Sequence, residues 1–78
     1  MSEVFERVKA ILAEELEIEE SSIDMESSIV DDLEADSLNT VKITMRLEEF
    51  YYIEIPDEDA EKMQTVGNVV EFVESRIE

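Results

Sequence analysis

Apolar residues recur at helical spacing at both ends of this chain, and that periodicity constrains its fold more than any other feature. Val4, Phe5, Val8, Ile11, Leu12 and Leu16 fall on one face of a helix over residues 3–16. Ser2 is its expected N-cap, and Glu3 and Glu6 suit the positive end of its dipole. Thr65 caps a second such run carrying Val66, Val69, Val70, Val73 and Ile77. A chain of 78 residues suffices for a single small domain, residues 1–78. Its core is thin at that size, so other sources of stability matter, but zero Cys and zero His exclude disulfides and the usual zinc ligands. Packed helices remain, and one Gly and one Pro in the whole chain agree with that.

Between the two runs the pattern changes. Residues 17–36 hold the turn formers Ser21, Ser22, Asp24, Ser27 and Ser28, interspersed with Ile18, Ile23, Ile29, Val30 and Leu33. We read a long loop pinned to the core by those apolar side chains; about 20 residues without regular structure in so small a domain point to function. A second helix runs from about Ser37 to Tyr51 with Asp36 as N-cap. Pro56 then breaks the chain, and Asp57 to Met63 forms a short third helix with acids in its first turn. The intervening Ile53-Glu54-Ile55 has strand composition but no partner. The expectation is all-α: a small four-helix bundle with a long first loop and a short third helix.

The second helix carries two apolar stripes. With Ile43 at zero, Leu47 falls at about 40° and Phe50 at about −20°, with Thr40 and Tyr51 flanking at about 60° and 80°. Leu38, Val41 and Met45 lie nearly opposite, at about 220°, 160° and 200°. The first stripe has more members and the aromatics, so it is expected to face the core. The second is then either an exposed patch beside Ser37 or is covered by the long loop. The order Phe50-Tyr51 does not reveal which ring is buried.

Charge narrows the partners. Formal net charge is −17, from 23 acidic and 6 basic residues. Phosphate backbones and anionic membranes need clustered Lys and Arg, so nucleic acid and membrane surfaces are poor partners. Basic protein surfaces are natural ones. No segment approaches the roughly 20 apolar residues of a membrane span. The N-terminus is a charged amphipathic run rather than a signal peptide, so a cytoplasmic protein is the default, although an organellar protein whose presequence was removed would look the same; a monomer is expected. The acid blocks "DEDAEK" and "DDLEAD" fit no EF-hand loop, and no metal site is expected.

Ser37 opens the second helix within "LEADSLNTV", and three roles compete for it. Capping is the common one. Nucleophilic catalysis needs a base; His is absent, and Lys42 sits roughly 140° around the helix. Modification is the third, since free N–H groups and the dipole favour a phosphate ester at a helix start. Asp31, Asp32, Glu34 and Asp36 repel added negative charge, which argues against simple phosphorylation as a switch.

"DDLEADSLNTV" resembles the D-L-G-A-D-S-L-D-x-V motif of acyl carrier proteins. The likeness runs nearly end to end: "FERVKAILAEELEI" is similar to the family's first helix, "SSIVDDL" to the close of its long loop, and "EIPDEDAEKMQTVGNVVEFV" to the lead into its last helix. The resemblance implies a carrier rather than an enzyme. Ser37 would bear 4′-phosphopantetheine as a phosphodiester, within the triplet Asp36-Ser37-Leu38 that a phosphopantetheinyl transferase reads, with coenzyme A as donor. Acyl groups would ride on the arm's thiol, which accounts for a chain without cysteine. It also implies partner-facing roles for Leu38, Val41, Met45, Glu48, Glu49 and Asp57, and an acyl cleft near Val30, Thr40, Leu47, Ile55, Ala60, Met63 and Val69. Basic enzymes of type II fatty acid synthesis would be its clients. Alternatives are a specialised carrier (polyketide, D-alanyl or modified lipid) and an unmodified acidic interaction module.

Departures from the motif qualify this. Glu34 stands where the family has Gly, and it is strained if the backbone needs positive φ. Asn39 and Lys42 replace acids and Arg46 a small residue. Lys42 and Arg46, four apart, are expected to form a cationic spot on the second helix.

Overall fold

The structure, a computed structural model, describes residues 3–77. Four α-helices follow in the order α1 (Glu3–Leu16), α2 (Ser37–Tyr51), α3 (Asp57–Lys62) and α4 (Val66–Ile77), with a single 3₁₀ turn, Glu20–Ser22, in the long loop. No strand occurs among the described residues. The expected bounds of α1 and α2 are met; α3 stops one residue early, at Lys62. The proposed cap Ser2 lies outside the described residues.

The amphipathic faces of α1 and α4 meet. Val4, Val8, Ile11 and Leu12 from α1 pack with Val66, Val69, Val70 and Val73 from α4, and Ile43 and Leu47 of α2 close the core. Leu12, Leu47, Val8, Val66, Val70 and Val73 are fully buried. The exposed stripe of α2 stays exposed: Leu38, Val41 and Met45 are 63%, 52% and 54% accessible, and the loop does not cover them.

The long loop is tied down by apolar anchors and by backbone bonds. Ile23, Ile29 and Leu33 are buried, and Ile18 packs against the core. Val30, expected among the anchors, is 60% exposed because the turn at residues 28–32 points it away from the core. The Ile29 N–H donates to the Gln64 carbonyl at 2.9 Å. The Val66 and Gly67 N–H groups donate to the Ser27 and Met25 carbonyls at 3.0 and 2.8 Å. Loop carbonyls thus satisfy N–H groups that a helix start leaves unpaired. A Cβ on Gly67 would lie 3.0 Å from the Met25 oxygen, so this approach uses the chain's single glycine. Thr65 and Asn68 complete the start of α4, each side chain accepting from the other's N–H at 3.1 Å.

Residues 53–55 are extended but pair with no strand. The Ile55 N–H donates instead to Glu48 Oε2 at 2.8 Å. Of the two adjacent rings, Tyr51 is the half-buried one and Phe50 is 50% exposed, although the α2 wheel put Phe50 in the core stripe. Phe50 meets Tyr51 edge-to-face at 4.9 Å and lies under the Arg7 guanidinium at 4.3 Å, a contact with α1 that the wheel does not contain. Burial pushes the Tyr51 phenol above its ordinary range, against the opposing pull of Arg7, so it stays protonated through neutral pH.

Glu34 adopts φ 57°, as do Glu17 and Tyr52 at 56°; the left-handed region disfavours every residue with a Cβ. Glu34→Gly should therefore stabilise the fold by about 1 kcal/mol, part of the strain relief being offset by glycine's unfolded-state freedom. Thermal melts check this: a rise of roughly 5 °C is expected, and a fall would show that the turn tolerates Glu without strain.

Candidate functional site: the start of α2 and its groove

Asp36, not Ser37, caps α2. Asp36 Oδ1 accepts from the Asn39 N–H at 2.8 Å, and Asn39 Oδ1 accepts from the Asp36 N–H at 3.3 Å, a reciprocal capping box. Asn39, a departure in the sequence, closes the box through its amide oxygen. The Thr40 hydroxyl donates to the Asp36 carbonyl at 3.0 Å. Ser37 follows as the first helical residue, exposed, and its hydroxyl has no hydrogen-bond partner among the described residues. The capping role is taken, and the chain's lack of His leaves no usual base for nucleophilic catalysis.

Ser37 lies on the rim of a groove of about 910 Å³ between the long loop, α2 and α3. Val30 and Asp31 border it from the loop, Asp36, Thr40 and Val41 from α2, and Asp57, Ala60 and Met63 from α3 and its end. Beneath it, Ile29, Thr40, Ala60 and Met63 also line a cavity of about 20 Å³ that continues to Ile43, Thr44, Leu47 and Val69. Thr40, Leu47, Ala60, Met63 and Val69, five of the seven cleft positions read from the sequence, therefore surround one cavity. Val30 instead borders the outer groove, and Ile55 is buried in the core away from the cavity lining.

A family model described as the phosphopantetheine attachment site matches residues 6–73. The acyl carrier protein of Clostridium acetobutylicum is 52% identical over 75 residues, which cover 96% of this chain and 97% of that protein. The chain belongs to the acyl carrier protein family. The prosthetic group of this family is covalently bound 4′-phosphopantetheine. The residues present fit such a group: an acyl carrier needs an unencumbered hydroxyl beside a channel for the arm, and Ser37 offers a free hydroxyl on the rim of a groove.

The other residues read as carrier positions divide by exposure. Leu38, Val41, Met45, Glu49 and Asp57 are exposed. Glu48 is only half-exposed, and one of its oxygens is committed to the Ile55 N–H, so it braces the connection to α3. The expected cationic spot of Lys42 and Arg46 does not form. Arg46 turns to α1 and pairs with Glu14 at 3.1 Å and Glu15 at 3.6 Å, leaving Lys42 by itself on the exposed side. That pairing spans 32 residues of sequence, which is why helical spacing alone misses it. Among the described residues no helix is long and apolar enough to cross a membrane.

Proposed function

We propose that this acyl carrier bears its arm on Ser37 and presents acyl intermediates to the enzymes of fatty acid synthesis, as a cytoplasmic monomer that itself catalyses nothing. The observation that carries this reading is the free, exposed Ser37 hydroxyl beside a helix cap supplied by its neighbour. When bound, the arm supplies a thiol on which acyl groups are held as thioesters. The chain's own residues do the rest. Asp36 fixes the start of α2 and with Leu38 frames the serine for a phosphopantetheinyl transferase. Leu38, Val41 and Met45 offer an apolar patch flanked by Glu49 and Asp57, which suits enzymes with basic docking surfaces.

Thr40, Leu47, Ala60, Met63 and Val69 form the wall of the acyl cleft in this reading, with Val30 on the outer groove, while Ile55 belongs to the core outside the lining. A cavity of about 20 Å³ holds about one water and no alkyl chain. Entry of a chain must therefore displace a wall, and α3 is the wall that yields most easily: its six residues include none that is buried. It is held by the Arg76–Asp59 ion pair at 3.7 Å, the Glu48 brace just before it, and the half-buried side chains of Ala60 and Met63 against the core.

Loading the arm with saturated chains of increasing length tests this. Each buried methylene contributes about 0.8 kcal/mol, so melting temperature should climb with chain length until the cleft is full. A flat series in a fully loaded sample would favour a carrier of short or polar cargo (polyketide, D-alanyl or modified lipid). Failure to load at all would favour an unmodified interaction module.

A further inference from the structure

Tyr52 combines an exposed aromatic ring with a left-handed backbone. It is 94% exposed, the most exposed large apolar or aromatic residue among the described residues. Its backbone is left-handed, φ 56° and ψ 47°, where glycine or asparagine ordinarily closes a helix. The Tyr52 N–H donates to the Glu48 carbonyl, and the Ile53 N–H reaches the same carbonyl at 3.2 Å, so the left-handed turn is what ends α2. The ring itself stacks on nothing among the described residues; the edge-to-face pair beside it is Phe50 with Tyr51.

Its position gives this arrangement a use. Tyr52 is the first residue after α2, the helix that carries the exposed line of Leu38, Val41 and Met45. From Ser37 to Tyr52 is about 22 Å along α2 at 1.5 Å per residue. A standard protein interface covers about 800 Å² per partner, a patch roughly 30 Å across. An interface of that width, running along the stripe from Ser37, reaches Tyr52 as well. The surroundings select the chemistry of that enzyme: Glu49 and Glu54 are exposed on either side of Tyr52 in sequence, on a chain of net charge −17. Carboxylates beside an open aromatic face suit an arginine or lysine, which gains from both the charge and the ring.

We propose that Tyr52 is a docking contact for the enzyme that acts on Ser37, accepting a cationic side chain from that enzyme's basic surface. The proposal rests on the carrier reading and adds to it a contact that lies outside the Asp36-Ser37-Leu38 motif. Tyrosine is enriched among the few interface residues that dominate binding, and its truncation there commonly weakens binding about five-fold or more.

The test uses the whole chain with coenzyme A, Mg²⁺ and a purified phosphopantetheinyl transferase, comparing wild type with Tyr52→Asn and Tyr52→Phe. Asparagine tolerates the left-handed region, so Tyr52→Asn should melt no lower than wild type. Its KM as a carrier substrate should nevertheless rise at least about five-fold with kcat little changed, while Tyr52→Phe keeps the wild-type KM. An unchanged KM for Tyr52→Asn, with wild type efficiently modified, would overturn the contact alone. A wild-type chain that the transferase does not modify would overturn the carrier reading, and this contact with it.

Discussion

Ser37→Ala should abolish attachment of the arm and leave the fold unchanged. The two effects separate because the side chain does no structural work. Asp36 caps α2 through its own carboxylate, and the Ser37 hydroxyl bonds to nothing among the described residues. Alanine is also the best helix former, so the first position of α2 accepts it. Exposed substitutions of this kind stay within about 0.5 kcal/mol, or roughly 4 °C in melting temperature for a domain of this size. No neighbouring hydroxyl replaces Ser37. Thr40 is half-buried and donates to the Asp36 carbonyl at 3.0 Å, and Ser28 Oγ accepts from the Asp31 N–H at 3.2 Å within the loop. Circular dichroism with a transferase assay checks both halves. A variant that loses attachment and also unfolds would show that Ser37 has a structural role the hydrogen bonds do not reveal.

The largest effect on stability is expected from Leu47→Ala. Leu47 is fully buried, on the core stripe of α2, and already borders a small cavity shared with Ile43 and Val69. Truncating a buried leucine costs about 3 kcal/mol, the sum of lost transfer energy and the void left behind. Total stability for a chain of this length is on the order of 4–12 kcal/mol, and self-repulsion from −17 charges lowers it. A loss of that size corresponds to a fall of roughly 12–24 °C in melting temperature. Denaturant titration gives the value directly. A loss below about 1 kcal/mol would mean that α3 collapses into the space, as the poorly anchored wall of the cleft would allow.

What the sequence made legible follows from the range of the interactions involved. The faces of α1 and α4 and the start of α2 could be read because periodicity and capping are local: Val4, Val8, Ile11 and Leu12 lie within one helix, and Asp36 acts on Asn39 three residues away. The antiparallel bridge between Ser28 and Thr65 could not, since it joins segments distant in sequence through backbone atoms that carry no residue signature. The partners of Arg46 are hidden from the sequence for a related reason. Four-residue spacing placed it with Lys42, but α1 passes close by and two of its carboxylates outcompete a like charge. Phe50 shows the limit of a helical wheel near a helix end: the core stops short of it, and Arg7 from α1 covers one face of the ring instead.

The site divides in the same way. The serine, its cap and the exposed stripe all stand on one element, α2, and the motif announces them. The cavity is assembled from the loop, α2, α3 and α4, so its floor of Thr40, Leu47, Met63 and Val69 depends on packing, and Val30 and Ile55 fall outside it. Glu34 was the exception among backbone features. A non-glycine at a glycine position raised the question of positive φ, and the turn has it, whereas Glu17 and Tyr52 adopt the same conformation with no such signal.

Attachment of the arm at Ser37 is tested by intact mass followed by peptide mapping. The folded chain is incubated with coenzyme A, Mg²⁺ and a broad-specificity phosphopantetheinyl transferase, and the product is weighed and fragmented. The prediction is a gain of one phosphopantetheine, confined to the peptide containing Ser37 and lost in Ser37→Ala. A gain on another residue, or no gain in a chain shown to be folded, would contradict it.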